Sequence, residues 1–399
     1  MALLGRYRTI LEIPGAWRFS AAGFVARLPI SMFGLGIVLL VADRTGSYGL
    51  AGTVAAAEVV AGAAVSPFSA RLSDRFGQAR VLPLLALGFC FATGLLILAV
   101  ESDQPTPLPH AAALLAGATM PHIGSNVRAR WRYVIDDRRQ LDTAFALEAV
   151  VDEMIFVVGP VLVTVLATQV NPGVALATTA GLCLVGSTWL ASQHATQPVV
   201  GGDEHGQRVR EPLGWRLLAP LMIVMVGLGG LFGGSEVVSV AFAEAEGSTA
   251  AAGWLLASMA AGSLIAGLVT GAVTLRQRPA VRVRWGTTAL TASVAPLPFL
   301  PSLGLVAAML FLAGLAIAPT LVAAVSMVEQ TVPPARLTEG IAWVTAGIIS
   351  GVAPGSALAG AVVDATSAST AYGVLFGFGV LAMVAAWLTL PRGRSGSAG

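Results

Sequence analysis

The sequence predicts an all-α membrane protein in which twelve transmembrane helices form two pseudo-symmetric bundles of six. The 399-residue chain is 56% apolar and 11% charged, with a mean hydropathy of +0.80, whereas soluble domains carry roughly 25% charged residues. Long apolar runs recur along the whole chain, and the arginines cluster in every second loop between them. These observations indicate that lipid surrounds most of the protein.

The apolar runs define the individual helices, since a helix needs about 20 mostly apolar residues to cross a bilayer. Breaks rich in Arg, Pro or Gly separate twelve predicted spans, at 17–42, 47–69, 81–100, 109–127, 141–168, 172–192, 216–243, 249–274, 284–300, 303–328, 337–363 and 369–390.

The basic residues predict the orientation of these spans. The chain has no lysine, and if the spans alternate, every arginine except Arg27 and Arg44 falls on one side of the membrane. Basic loops stay in the cytoplasm. We therefore expect a multi-pass protein of the cytoplasmic (inner) membrane with both termini cytoplasmic. No cleavage site follows the first arginines, so the first helix is expected to remain in the protein.

The two halves repeat each other at an offset of about 200 residues, as transporter folds with parallel repeats do. The matching segments are Gly46-Ser47 with Gly247-Ser248, Ala51-Gly52 with Ala252-Gly253, and Leu141 and Gly159 with Leu337 and Gly355. This repeat predicts an N-terminal bundle (1–192), a cytoplasmic linker (193–215) and a C-terminal bundle (216–399), with a cavity between the bundles.

The turn between the second and third spans carries a specific motif. It contains Asp74, Arg75, Gly77 and Arg80, and it resembles the loop signature of the major facilitator superfamily. Ala70 and Gln78 depart from that signature. An Asp at a helix end can meet the positive N-terminus of another helix, and Gly permits a tight turn. The resemblance implies a secondary transporter that works by alternating access, with this turn as a gating latch.

A second motif, Gly159-Pro160 in the fifth span, is similar to a signature of antiporter members of that superfamily. The match is partial, because Val163 and Thr164 stand where further glycines are usual. An arginine expected inside the fourth helix is also missing, since Arg128 lies at the predicted cytoplasmic end. The resemblance implies a gating role for the Gly-Pro pair.

Ionisable residues at membrane depth are the candidate proton-coupling or substrate residues, and each costs roughly 2.5–3.5 kcal/mol at a helix centre. They are Arg27, Glu58, Glu148, Asp152, Glu153 and Glu236. Two interpretations remain open. In the first, Arg27 pairs with one or two of these acids and clamps helices of one bundle together. In the second, at least one acid binds and releases a proton, with Asp152 and Glu236 preferred, and Arg27 competes with that proton or binds an anionic group of the substrate.

The other polar residues bear on the substrate. Asn126 and Asn171 are the only asparagines and lie at helix ends, which disfavours a sugar. Methionines are spread through the spans, and flexible thioethers suit adaptable apolar sites. We therefore expect proton-coupled export of a small amphipathic or drug-like molecule. The alternatives are a facilitator or importer of a small solute, including an anionic one, and a membrane sensor that does not transport.

The remaining expectations concern partners. The lipid bilayer, a small-molecule substrate and protons are the expected partners of a monomer, and no nucleic acid is expected. The four histidines are scattered and Cys90 and Cys183 lie in apolar segments, so neither a metal nor a cofactor is predicted. No nucleophile motif or phosphate-binding loop occurs, and an enzyme is not expected.

Overall fold

The architecture is helical throughout the described part of the chain. The computed structural model describes residues 8–102, 105, 107–198, 214–272, 277–332 and 337–390, and these ranges contain thirteen α-helices and no β-strand. The helices are α1 (Ala16–Thr45), α2 (Tyr48–Phe76), α3 (Gln78–Glu101), α4 (Pro107–Thr119), α5 (Ile123–Val134), α6 (Arg138–Gln169), α7 (Pro172–Ala191), α8 (Trp215–Ala245), α9 (Ala251–Ala272), α10 (Pro279–Val294), α11 (Leu303–Thr331), α12 (Leu337–Ala365) and α13 (Ala368–Thr389).

Ten of the described helices are long and apolar enough to cross a membrane. The other predicted spans, the fourth and the ninth, are not single long helices. The ninth consists of the 16-residue α10 followed by a short 3-10 turn at Leu297–Phe299. Pro296 and Pro298 explain this ending, because proline cannot donate the backbone hydrogen bond that continues an α-helix.

The fourth span is divided into α4 and α5 by the segment 120–122, which contains Pro121. Together the two helices make one crossing. Near the start of α4, His110 Nε2 lies 3.0 Å from Thr53 Oγ1 of α2. In α5, the carbonyl of Asn126 accepts a hydrogen bond of 3.1 Å from Gln78 at the start of α3. Helix α5 continues beyond the predicted end of the span, to Val134.

These contacts define two ends of the molecule. The end where α1 ends and α2 begins is called the outer end, after the orientation predicted from the sequence, and the end where α2 ends and α3 begins is called the arginine-rich end. The helices form two groups: α1–α7 pack mainly on one another around α1, and α8–α13 pack mainly on one another around α8. Most of the predicted linker, residues 199–213, lies outside the described residues.

The two groups meet through α2 with α12 and through α6 with α9. A β-carbon added to Gly52 would overlap the carbonyl oxygen of Ser356, and one added to Gly253 would stand 2.5 Å from the carbonyl oxygen of Pro160. Gly52 and Gly253 match in the sequence repeat, and so do Pro160 and Ser356, by the offset that relates Gly159 to Gly355. The repeat therefore builds two equivalent close contacts near the outer end, which we call the outer seal.

The repeated Gly-Ser pairs also have equivalent structures. Gly46 follows α1 with a φ of 67°, and Gly247 follows α8 with a φ of 75°. A left-handed backbone at this position is favourable for glycine, which lacks a β-carbon. Both glycines turn the chain at the outer end into the next helix.

Candidate functional site

Four of the six candidates predicted at membrane depth lie on α1 and α6, and three of them form one ion-pair cluster. Arg27 Nη2 lies 2.5 Å from Glu148 Oε2, and Arg27 Nη1 lies 2.7 Å from Asp152 Oδ1. Arg27 Nε also donates to the carbonyl of Gly23 at 3.0 Å. Glu148 and Asp152 can share this partner because residues four apart lie on one face of a helix.

Helix α5 completes this cluster. Trp131 Nε1 donates to Glu148 Oε1 at 2.8 Å, and Arg128 Nη2 lies 2.6 Å from Asp152 Oδ2. Two guanidinium groups therefore balance two carboxylates. Buried charges are tolerated only when they are paired and hydrogen-bonded, and this network satisfies that condition.

The cluster is buried on one side and accessible on the other. The side chains of Arg27 and Glu148 are 1% and 0% exposed, whereas those of Arg128 and Asp152 are 41% and 34% exposed. Arg27 and Glu148 thus join α1 to α6 within the bundle. Arg128 and Asp152 present a neutral but strongly polar pair at the surface of that bundle.

Glu153 has different neighbours from Asp152, since adjacent residues point about 100° apart around a helix. Its Oε1 accepts a hydrogen bond of 3.2 Å from Ser263 Oγ of α9. Glu153 therefore reaches across to the second bundle, although the carboxylate of Asp152 is close enough to interact with it electrostatically.

Glu58 of α2 and Glu236 of α8 form a second acidic site across the two bundles. Surrounding helices enclose both side chains, and Glu236 is close enough to Glu58 for its charge to act on the Glu58 carboxylate. Both nevertheless keep intermediate solvent exposure, which places them beside an internal space. Within the described residues, no hydrogen bond or ion pair satisfies either carboxylate. Two acids without a hydrogen-bonding partner in the described part of the chain thus lie in the same region between the bundles.

Gly34 of α1 provides the space for Glu236. A β-carbon on Gly34 would stand 2.8 Å from Oε2 of Glu236. Gly34 has intermediate exposure, and Ile30, one turn away on the same face, is exposed. Because α1 is surrounded by other helices, this face borders the same internal space as Glu236.

Helix geometry orders these groups along the molecule. At about 1.5 Å of rise per residue, Glu58, Glu236 and Gly34 lie roughly 14–17 Å from the outer ends of their helices. Arg27 and Asp152 lie roughly 25–27 Å from theirs. The acid pair is therefore just below the outer seal, and the ion-pair cluster lies further toward the arginine-rich end.

The motif residues have distinct environments. Gly77 joins α2 to α3 with a φ of 85° and a ψ of 144°, a combination open essentially to glycine alone. Arg75 and Arg80 are exposed, and the Arg75 guanidinium lies 5.2 Å from the ring centroid of Phe76. The side chain of Asp74, predicted as a gating residue, lies outside the described residues.

Gly159 and Pro160 lie where three helices meet. A β-carbon on Gly159 would overlap Ser31 Oγ of α1, and Ser31 Oγ donates to the carbonyl of Ile155 at 2.8 Å. The carbonyl of Pro160 faces Gly253 in the outer seal. The Gly-Pro pair thus packs α6 closely against both α1 and the second bundle.

Sequence reasoning missed the part that α5 plays. Arg128 was predicted at the cytoplasmic end of the fourth span without a partner, whereas α5 continues to Val134 and brings Arg128 to Asp152. Arg130 on the same helix is fully buried, and it donates to Gln78 Oε1 at 2.7 Å and to Thr196 Oγ1 at 2.8 Å. The available signal was Trp131 among these arginines, since tryptophan favours burial over an exposed loop.

A metal centre has no support in the described residues, where no group of three or more His, Cys, Asp or Glu side chains could hold an ion. The described site consists of an ion-pair cluster within the first bundle and of carboxylates at the interface of the two bundles.

Comparison with known proteins agrees with this architecture. The sequence model of the Major Facilitator Superfamily matches residues 19–303. A protein described as an uncharacterized MFS-type transporter, y4rN of Sinorhizobium fredii (strain NBRC 101917 / NGR234), is 28% identical over 178 residues. That match spans 44% of this chain and 44% of the relative.

Solved structures share the fold at low sequence identity. The nucleoside transporter NupG superposes with a TM-score of 0.74 and 13% identity, covering 94% of this chain and 100% of NupG. The POT family transporter PepTSo gives a TM-score of 0.71 and 11% identity over 94% and 97% of the two chains. The human organic anion transporter MFSD10 superposes with a TM-score of 0.62 and 15% sequence identity, covering 92% of this chain and 98% of MFSD10.

Proposed function

Since the chain belongs to the Major Facilitator Superfamily, we propose that it is a secondary transporter that exchanges protons for a small amphipathic or drug-like molecule. The two bundles rock about the outer seal and expose the space between them to one side of the membrane at a time. The outer end is closed in this structure, because the outer seal packs backbone against backbone.

The observation that carries the proposal is the presence of two enclosed acids, Glu58 and Glu236, on opposite bundles, with no hydrogen-bonding or ion-pair partner among the described residues. An ionised carboxylate without a partner is costly away from water, and two of them on opposite bundles repel each other. Proton binding removes both costs, and proton release restores the repulsion. The protonation of this pair would therefore bias the bundles between approach and separation, as coupling requires.

Asp152 has a different role in this proposal from the one preferred on sequence grounds. It is bound to Arg27 and Arg128, so a proton would have to compete with two guanidinium groups. We assign the Arg27 cluster to holding α1 on α6, with the exposed Arg128–Asp152 pair beside the pathway. Proton exchange is assigned to Glu236 and Glu58.

Proton flux in vesicles tests the assignment. The protein is reconstituted with an internal pH dye and given ethidium, an amphipathic fluorescent probe, or whichever compound most raises its unfolding temperature in a screen. Glu58→Gln and Glu236→Gln should each abolish substrate-induced proton movement, whereas Glu246→Gln, an exposed acid at the outer end, should not. Wild-type proton movement in both site variants would refute the proposal.

We propose that the protein is a monomer in the inner membrane and that it works as an exporter. In this orientation, the arginine-rich end and both termini lie on the cytoplasmic side. Asp74, with Arg75, Gly77 and Arg80, would form a latch at the cytoplasmic side. Asp74→Ala should then raise cytoplasmic labelling of a pathway cysteine, such as Ile30→Cys, above that of the parent. Unchanged labelling would exclude the latch.

A facilitator or importer of an anionic solute is the second candidate, because the Arg128 guanidinium is 41% exposed. A single guanidinium with free donors suits a carboxylate or phosphate group. This candidate predicts uptake of an organic anion without a pH gradient, and loss of that uptake in Arg128→Gln. Proton-driven efflux of ethidium that is retained in Arg128→Gln would favour the first candidate.

A further inference from the structure

The outer ends of the two bundles are joined by the carboxylate of Asp364, in the last turn of α12. Asp364 Oδ1 accepts a hydrogen bond of 2.8 Å from the backbone N–H of Tyr48. Asp364 Oδ2 accepts bonds of 2.8 Å from the backbone N–H of Gly49 and from Ser47 Oγ. One side chain of the second bundle thus binds the beginning of α2 in the first bundle.

The position is electrostatically favourable for a carboxylate. The first N–H groups of a helix have no partner within it, and the helix dipole places partial positive charge there. Ser47 is the N-cap of α2, and its side chain satisfies the N–H of Leu50. Asp364 therefore supplies acceptors for the two N–H groups that the cap leaves over.

A second bond lies beside this one. The hydroxyl of Tyr48 donates to Oε2 of Glu244, near the end of α8. The ring of Tyr48 is largely buried, whereas Glu244 is exposed. The start of α2 is thus bound by two acids from two helices of the opposite bundle.

Close packing permits these bonds. A β-carbon on Gly49 would stand 2.8 Å from Asp364 Oδ2, and one on Gly360 would overlap the carbonyl of Tyr48. The two helices can approach this closely because glycine faces the partner on each side. Separation of the bundles at the outer end must break all of these contacts together.

From this geometry we propose that Asp364 is the latch that holds the outer end closed, with Glu244 as its auxiliary. Four hydrogen bonds to carboxylates, three of them at a helix N-terminus, stabilise the closed state and are absent once α2 and α12 separate. Such a differential contact is what a conformational equilibrium requires. The latch requires that the bundles rock, but it does not require proton coupling or a particular substrate.

Distance measurements between spin labels test the latch in the full-length protein. Cys90 and Cys183 are replaced by alanine, and labels are attached at Asp43→Cys and Ser248→Cys, two exposed sites at the outer ends of the two bundles. A second label pair, at Ser192→Cys and Gln330→Cys, reports on the arginine-rich end. The distance within each label pair is measured by pulsed electron paramagnetic resonance in the absence of substrate.

Asp364→Ala should shift the ratio of open to closed molecules at the outer end roughly tenfold. Asp364→Asn keeps a hydrogen-bond acceptor but loses the charge, so it should shift this ratio less than Asp364→Ala does. Glu244→Gln should shift the ratio least of the three variants. Glu246→Gln is the matched control, as an acid at the same end without these contacts. The pair at the arginine-rich end should become shorter as the outer pair becomes longer.

Unchanged outer distances in Asp364→Ala would overturn the latch. Broadening of both label pairs, which indicates general loosening, would overturn it as well. Because Asp364→Asn preserves the shape of the side chain, it tests the same bonds if Asp364→Ala does not fold, and unchanged outer distances in it would also overturn the latch. Proton coupling is measured separately in the Glu58 and Glu236 variants, so either proposal can fail while the other stands.

Discussion

Glu236 of α8 lies directly over Gly34 of α1, where a β-carbon would stand 2.8 Å from the carboxylate oxygen Oε2. Gly34→Ala should push this carboxylate out of its position beside α1. We expect substrate-driven proton movement to fall at least tenfold, while the unfolding temperature changes little, because a flexible side chain can yield. Proton flux and thermal unfolding are measured on the same preparation.

Gly94→Ala is the control for this substitution, since a β-carbon on Gly94 of α3 would meet nothing within 4 Å. It should leave both proton flux and unfolding temperature at the parent values. Full proton flux in Gly34→Ala would show that the position of Glu236 is not critical for coupling.

Removing Arg27 should destabilise the protein strongly. Arg27→Ala leaves Glu148 buried with no cation and Asp152 with one, and breaking a buried pair in this way costs about 3–5 kcal/mol. The measurement is thermal or denaturant unfolding in detergent. Arg8→Ala, which breaks the exposed pair Arg8–Glu12, should have no measurable effect.

A charge-neutral double variant separates charge from packing at this site. Arg27→Met with Glu148→Gln removes one charge of each sign and leaves the pair Arg128–Asp152 intact. It should recover more than half of the stability that Arg27→Ala loses, because no unpaired charge remains buried. A double variant as unstable as Arg27→Ala would mean that packing, not charge, dominates the cluster.

The outer seal should open when its glycines are enlarged. Gly52→Ala and Gly253→Ala each set a β-carbon against a backbone carbonyl of the other bundle, and a backbone cannot yield as a side chain does. We expect both to increase several-fold the labelling of Ile30→Cys by an impermeant thiol reagent added at the outer side. The two effects should be similar, because the contacts are equivalent by the repeat.

Gly373→Ala is the control for the outer seal, since a β-carbon on Gly373 of α13 would meet nothing within 4 Å. It should label at the parent rate. If both seal variants were labelled only at the parent rate, these contacts would not be what closes the pathway.

The turn between α2 and α3 should not tolerate a side chain at Gly77. With a φ of 85° and a ψ of 144°, a non-glycine residue is strained by about 1–3 kcal/mol. Gly77→Ala should therefore lower the unfolding temperature, whereas Gly46→Ala, at a left-handed φ of 67° with open space around it, should lower it less. An equal decrease in unfolding temperature in the two variants would indicate that a positive φ alone determines the loss of stability.

Much of the architecture could be predicted from local signals. Apolar runs and arginine-rich loops indicated the helical membrane fold, and the repeat of Gly46-Ser47 as Gly247-Ser248 corresponds to two equivalent turns. The spacing of Glu148 and Asp152 identified a shared face of α6. Each of these properties depends on residues within one helix or one turn, which sequence periodicity records directly.

The breaks in helices were harder to predict. Pro121 divides the fourth crossing, whereas Pro29 and Pro160 lie inside continuous helices. Proline removes the same hydrogen bond in every case, and its neighbours decide whether the helix continues. The sequence could not show that α5 brings Arg128 to α6, and so this second partner of Asp152 was missed.

By itself, the sequence determined that this protein is a helical membrane protein of two repeated halves with charges placed at membrane depth, because hydropathy and charge are properties of single residues. Only the tertiary structure decided which of those charges meet. It paired Arg27 with Glu148 and Asp152, left Glu58 and Glu236 in the same region without partners among the described residues, and set Asp364 on the start of α2. The physical reason is that ion pairs and hydrogen bonds act over a few ångströms, and those distances are fixed by the packing of helices far apart in the chain.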